Sequence, residues 1–141
     1  MIQELRPTRY DGVRVLVVEE SSINRRLSQL LLEMLGCRVT AVASGSDAVE
    51  AFRNLDFDLI LMDCSMPGLS GIEATEQIRN LEHARGSRSR VPIVAVTAFT
   101  HPADRQYCIR RGMDDVLIKP LRQQMLIETL GRWLNVQSLS A

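Results

Sequence analysis

What this sequence lacks first is net charge: seventeen basic and seventeen acidic side chains cancel over 141 residues. A balanced chain gives no support for binding nucleic acid or an acidic membrane surface, although it leaves room for a local patch. Cysteine is sparse too. Cys37, Cys64 and Cys108 form an odd, widely spaced set without a CxxC, which argues against a disulfide scaffold or structural zinc and fits a reducing compartment. Cys37 and Cys64 adjoin apolar runs and read as small buried hydrophobes. No apolar run approaches the roughly 18 residues of a membrane-spanning helix, and Met1–Tyr10 has neither the apolar centre nor the cleavage pattern of a signal peptide. A membrane domain elsewhere in a longer parent protein stays open. Sequence motifs are missing as well. There is no GxGxxG after the first strand-like run, no GxxxxGKS/T and no GxSxG, so a dinucleotide site, a P-loop and a nucleophile elbow are unsupported. His83, in a basic stretch, and His101, at a helix start, read as ordinary polar surface or capping residues.

What is present is a regular alternation. Val13–Val18 is β-branched and almost wholly apolar, a central strand. Ser21 or Ser22 caps a helix whose apolar stripe reads as Ile23, Leu27, Leu30, Leu31 and Met34, and Gly36 ends it. Cys37–Ala43 reads as a strand, Ser44–Ser46 as a turn, and Asp47–Asn54 as a short helix. Leu59–Met62 is a buried strand ending at Asp63, followed by a Pro/Gly/Ser turn and a helix over Gly71–Leu81. Glu82–Arg90 reads as a wet, basic loop. Val91–Val96 is a fourth strand, and a helix beginning near Pro102 runs to about Arg111. Val116–Ile118 is a short fifth strand, and Leu121–Leu134 carries the stripe of a last helix. Strands alternating with helices call for an α/β fold, a mostly parallel sheet covered on both faces. The expected organisation is a tail or linker over 1–11, one domain over 12–135 and a tail over 136–141.

Polar groups collect where the strands stop: Glu19 and Glu20 after the first, Asp63 after the third, Thr97 after the fourth, Lys119 after the fifth. Carboxyl ends of parallel strands are where open α/β sheets place ligands. Three carboxylates in one crevice repel one another unless a cation is present. Oxygen donors without histidine suit Mg2+ (or Mn2+), with Lys119 and Thr97 left to hold an anionic oxygen. Carboxylate, metal, ammonium and hydroxyl together suit phosphoryl transfer to Asp63. A salt-bridged rim without chemistry accounts for the same residues about as well.

Four stretches decide between these readings: VRVLVVEE with Asn24, DLILMDCSMPGLSG, IVAVTAF and GMDDVLIKPL. In this order and spacing the chain resembles the receiver domain of two-component response regulators over roughly Val13–Leu134, most of all receivers attached to hybrid sensor histidine kinases. The resemblance implies a flavodoxin-like three-layer sandwich with strand order 2-1-3-4-5, the order already attached to a receiver protein in general descriptions of this fold. It implies that Asp63 is the phosphoacceptor, and that Glu20 binds Mg2+ directly while Glu19 reaches it through water. The Ser65 backbone carbonyl is a further ligand. Thr97 is the switch hydroxyl, Phe99 the switch aromatic and Lys119 the ion-pair partner. Pro67, Gly71 and Pro120 shape the turns, the last through a cis bond after Lys119. The acid pair of the family is usually Glu-Asp or Asp-Asp. Here it is Glu19-Glu20, which puts the direct ligand one methylene further out.

The function implied is a cytoplasmic phosphorelay receiver, self-phosphorylating at Asp63 and slowly autodephosphorylating, as a free-standing regulator or as the cytosolic part of a membrane-bound sensor kinase. Its partners are then a histidine kinase or a histidine phosphotransfer domain docking near Ile23, Leu27, Pro120 and Leu121. A homodimer through the fourth helix, fifth strand and last helix is a further option, and neither nucleic acid nor membrane contacts this domain. Two other classes compete: a receiver fold acting as a phosphorylation-independent interaction module, and a small Mg2+-dependent phosphoesterase with Asp63 as nucleophile. The last is disfavoured because no second acid stands beside Asp63 as a general acid.

Overall fold

A computed structural model describes residues 9–64, 70–86, 89–98 and 102–134. The elements alternate as β1 (Arg14–Val18), α1 (Ser22–Met34), β2 (Arg38–Val42), α2 (Gly45–Asn54), β3 (Leu59–Asp63), α3 (Gly71–Ala84), β4 (Ile93–Thr97), α4 (Pro102–Arg110), β5 (Asp115–Ile118) and α5 (Gln123–Trp133). The strands form one parallel sheet in the order β2-β1-β3-β4-β5, the order expected. The central register runs Val18 beside Met62 and Asp63 beside Val96. β1 and β3 therefore finish together at the point where the strand order reverses.

Parallel strands covered on both faces must be apolar at every position, which explains the unbroken runs RVLVV, LILMD and IVAVT. Alternate residues feed two cores. Leu16, Val18, Ile60, Met62, Ile93 and Ala95 pack with Phe52 of α2, Ala74 and Ile78 of α3 and Cys108 of α4. Val15, Val17, Leu59, Leu61, Val94 and Val96 pack with Leu32 and Leu35 at the end of α1 and with Leu126 and Leu130 of α5. Burying each such side chain fully contributes about 1.5–3 kcal/mol before the entropy of ordering is subtracted.

Three expectations need correction. The stripe assigned to the first helix is not its buried face: Ile23 is 78% exposed and Met34 60%, with Leu27 and Leu30 also exposed, while Ser28, Leu32 and Leu35 are buried. The third helix continues to Ala84, so Glu82 and His83 are helical rather than part of a wet loop. Glu82 is buried, its Oε2 accepting from Val91 N at 2.7 Å. The end of the segment read as a tail also docks: Tyr10 is buried, and its hydroxyl donates to the Ile127 carbonyl at 3.1 Å. Ser21 is the residue that caps α1, accepting from Asn24 N at 3.3 Å. His101 and the terminal tails beyond residues 9 and 134 lie outside the described residues.

Candidate phosphoacceptor site

The carboxyl ends of β1, β3, β4 and β5 bring Glu19, Asp63, Thr97 and Lys119 to one edge. Asp63 is 4% exposed, Glu19 6% and Thr97 3%. Each is held by the strand that delivers it. Glu19 N donates to the Val42 carbonyl at 3.0 Å and Lys119 N to the Thr97 carbonyl at 2.8 Å, so backbone pairing with the neighbouring strand fixes where each side chain starts. Lys119 Nζ lies 3.1 Å from Glu19 Oε1 and 3.4 Å from Asp63 Oδ2. One ammonium thus sits between two buried carboxylates. Glu19 Oε2 also accepts from Ser21 N at 3.1 Å. Arg25 Nη1 donates to the carbonyls of Glu19 and Glu20 at 2.9 and 3.1 Å, clasping the β1–α1 turn.

Burial, then the contact with Asp63, pushes the Glu19 carboxyl above its ordinary value, and the Ser21 N–H and Lys119 pull it back only in part. Burial alone would lower the Lys119 ammonium, but Glu19 and Asp63 outweigh it and hold the proton more tightly than usual. The site is therefore a charge cluster with one negative charge in excess when both acids are ionised. That arrangement favours an incoming cation.

Residues 15–131 match the response regulator receiver domain family. The chain belongs to that family. Among relatives of this receiver, the sensor protein GacS of Pseudomonas syringae pv. syringae is 42% identical over 123 residues, covering 87% of this chain and 14% of that protein. The receiver thus spans about one-seventh of the length of such a curated relative. Among solved structures, the receiver domain of the sensor histidine kinase PA1611 from Pseudomonas aeruginosa PAO1 is 42% identical. It has a TM-score of 0.77, covering 86% of this chain and 97% of that one, and is described with a magnesium ion in its active-site cleft. The Ssk1 receiver domain of Saccharomyces cerevisiae, solved with the histidine phosphotransfer protein Ypd1, is 31% identical with a TM-score of 0.84, covering 91% and 92%.

Within this receiver, Glu20 stands apart from the other acids. Its side chain is exposed, and among the described residues no three histidine, cysteine, aspartate or glutamate side chains are gathered as a metal-holding group. Two carboxylates and a lysine converge, and the third carboxylate, Glu20, is exposed at the rim. Ser65, Pro67 and Phe99 lie outside the described residues. The Lys119–Pro120 bond is cis. At Gly71, a Cβ would run into the carbonyl oxygen of Asp63 and come within 3.0 Å of Met62 Cγ, so the start of α3 packs directly on the backbone of the candidate phosphoacceptor. Beside the acids, a groove of about 300 Å³ opens between Asn24, Leu27 and Ser28 of α1 and Lys119, Pro120 and Leu121.

Sequence reasoning missed the Arg25 clasp and two charge hubs further from the site. The only available signal was the charged residues themselves, whose partners lie up to 35 residues away, as with Arg79 and Asp114.

Proposed function

We propose that this receiver is the phosphoacceptor of a phosphorelay, with Asp63 taking a phosphoryl group from a partner's phosphohistidine. The observation that carries the reading is the buried Asp63 carboxylate facing Lys119 across 3.4 Å at the end of β3. A carboxylate oxygen attacks phosphorus in line with the leaving imidazole nitrogen. The P–O bond forms as the P–N bond breaks, and the imidazole keeps the electron pair. Lys119, already placed against Asp63, holds a phosphoryl oxygen as charge spreads over it. Thr97, buried at the end of β4, supplies the hydroxyl that turns toward the phosphoryl group, and Phe99 follows it as the switch aromatic. The resulting shift biases the face formed by α4, β5 and α5.

The donor set fits a hard divalent cation. Glu19 and Asp63 are crowded acids whose mutual contact raises Glu19, all available donors are oxygens, and Glu20 is exposed and free to turn in. Glu19, Glu20, Asp63 and the Ser65 carbonyl would hold Mg2+, which when bound neutralises the acids and the phosphoryl oxygens.

The histidine partner is a kinase or a phosphotransfer domain. The exposed Ile23 and Leu27 beside the groove at Pro120 and Leu121 support docking there. Ile23→Asp should leave phosphorylation by acetyl phosphate unchanged while slowing transfer from such a partner at least ~10-fold. A cytosolic place in a hybrid kinase, without direct nucleic-acid or membrane contact, fits the relatives. No described helix is long and apolar enough to cross a membrane. A homodimer would use the α4–β5–α5 face, where Tyr107 and Ile118 are exposed.

Intact mass after incubation with acetyl phosphate and Mg2+ tests the central claim. One phosphoryl group gained by the wild type and lost in Asp63→Asn supports it. No gain in the wild type points instead to an interaction module.

A further inference from the structure

Two of the three cysteines meet beside the phosphoacceptor. Cys64 directly follows Asp63, and its Sγ lies 3.9 Å from Cys108 Sγ of α4 and 3.9 Å from Met113 Sδ. Cys37 is buried in the opposite core, among Val15, Leu32 and Leu35, and cannot take part. Cys108 is buried while the other described side chains of α4, residues 103–107, 109 and 110, are exposed. Beside the Arg105–Asp115 ion pair that ties α4 to β5, Cys108 is thus the buried contact of that helix among its described side chains, and it touches the residue next to Asp63. Cys64 is half-buried whereas Cys108 is buried, so Cys64 is the one of the pair nearer solvent.

We infer that Cys64 and Cys108 form an oxidation site, closing to a disulfide under hydroperoxide and thereby fixing α4 to the end of β3. Cys64 reacts first: an S–O bond forms, the O–O bond breaks, and the thiol proton leaves with the alkoxide as an alcohol (water, for hydrogen peroxide). Cys108 sulfur then attacks the sulfenic acid. The S–S bond forms, the S–O bond breaks, and the hydroxyl departs with the Cys108 proton as water. Two thiols and one hydroperoxide give one disulfide, one alcohol and one water. The second step is intramolecular between sulfurs already in contact, so it outruns further oxidation of Cys64. Because Cys108 is the buried contact of α4, the cross-link removes the freedom of the helix that the phosphorylation switch needs. The consequence for phosphorylation rests on the function proposed above; the cross-link and its effect on α4 do not.

The test treats the protein with hydrogen peroxide, alkylates it after unfolding and maps the peptides. A Cys64–Cys108 linked peptide with a mass loss of about 2 Da, Cys37 still alkylated and reversal by dithiothreitol are expected in the wild type. Neither Cys64→Ala nor Cys108→Ala should form the link. Amide hydrogen exchange over residues 102–110 should slow at least ~5-fold on oxidation, and phosphorylation by acetyl phosphate should slow by ~5-fold or more. Two free thiols, or sulfinic acid at Cys64 without a link, would overturn the inference. So would a link that leaves exchange in α4 unchanged. If the reduced protein accepts no phosphoryl group, the proposed function fails, and peptide mapping with α4 exchange still decides this one.

Discussion

The ammonium of Lys119 stands 3.4 Å from the carboxylate of Asp63 while keeping 3.1 Å to Glu19, so a single cation is shared by two crowded acids. Lys119→Met leaves both acids buried without it. Removing one partner of a buried ionic cluster costs about 3–5 kcal/mol, and here part of that is recovered because Glu19 can keep a proton. Urea unfolding at pH 7 should show the loss. Phosphorylation by acetyl phosphate should fall ~100-fold, since the lysine also meets the charge developing on phosphorus.

Gly71 has a different kind of relationship to the same aspartate. Its missing Cβ is what lets α3 begin against the Asp63 carbonyl. Gly71→Ala must move either the helix start or the strand end, and neither is the free end of a flexible side chain. A destabilisation of about 1–3 kcal/mol is expected, with a slower phosphorylation that Gly71→Ala shares with no other change in the first turn of α3. Glu73→Ala is the comparison. It breaks the capping box with Ser70, costs about 1 kcal/mol, and leaves the rate near wild type.

The strands and their polar ends were legible because β-branched runs and breakers carry that signal locally. The first helix was not. Leucines and isoleucine occur on two of its faces, so 3.6-residue periodicity allows either Ile23–Leu27–Leu30 or Ser28–Leu32–Leu35 to face the sheet; packing on Val15 and Val17 chooses the second. The stretch after Leu81 misled for the opposite reason. Its charges look solvated, yet Glu82 pairs with Arg79 one turn back in the same helix, and Arg90 reaches Asp114 and the Gly112 carbonyl, partners more than twenty residues away. Asp63 was legible as a strand-end carboxylate. Its neighbourhood with Lys119 was legible from the strand ends, whereas the direct ion pair depends on strand order and came with the family resemblance.

Arg79 shows the scale of what a local reading overlooks. Its side chain, 13% exposed, meets Glu82 at 2.9 Å and Asp114 at 2.7 Å, and it donates to the carbonyls of Gly112 and Val91. Arg79→Met takes the guanidinium from two largely buried carboxylates and from the Val91 carbonyl, while Arg90 still reaches Asp114 and the Gly112 carbonyl, at a cost of about 3 kcal/mol. Arg79→Lys should recover less than half of it, because an ammonium cannot span the fork. Chemical denaturation of the three proteins side by side measures this.

Asp115 adds a pH dependence. Burial alone would raise its carboxyl, but Trp133 Nε1 at 2.8 Å, the Val116 N–H at 2.8 Å and Arg132 Nη1 at 2.5 Å outweigh burial and hold it below its ordinary value of 3.8. A carboxylate whose folded pKa is depressed stabilises the fold above its unfolded pKa, and that stability is lost as pH falls through the folded value. Asp115→Asn should therefore cost about 2–4 kcal/mol near pH 7, and the gap to wild type should narrow below pH 3.8. A gap that stays constant down to pH 3 would show that the anion is not what binds α5 to β5.

The remaining prediction concerns Glu20. Glu19 is pinned by Lys119 and the Ser21 N–H, so the carboxylate left to adjust to a metal is the exposed one. Mg2+ demands near-ideal octahedral geometry and gives up its waters reluctantly. A side chain one methylene longer than the family's usual aspartate must fold back to reach it, losing rotamer freedom on the way. Glu20→Asp should therefore bind Mg2+ tighter, by roughly 3–10-fold, while Glu20→Gln should bind weaker than wild type because it removes the anion. Calorimetric titration with Mg2+ alone, before any phosphoryl donor is added, separates metal affinity from phosphorylation. Equal or tighter binding by the wild type than by Glu20→Asp would mean that the longer acid reaches the ion without penalty. Unchanged binding in Glu20→Gln would mean that Glu19 and Asp63 hold it without Glu20 at all.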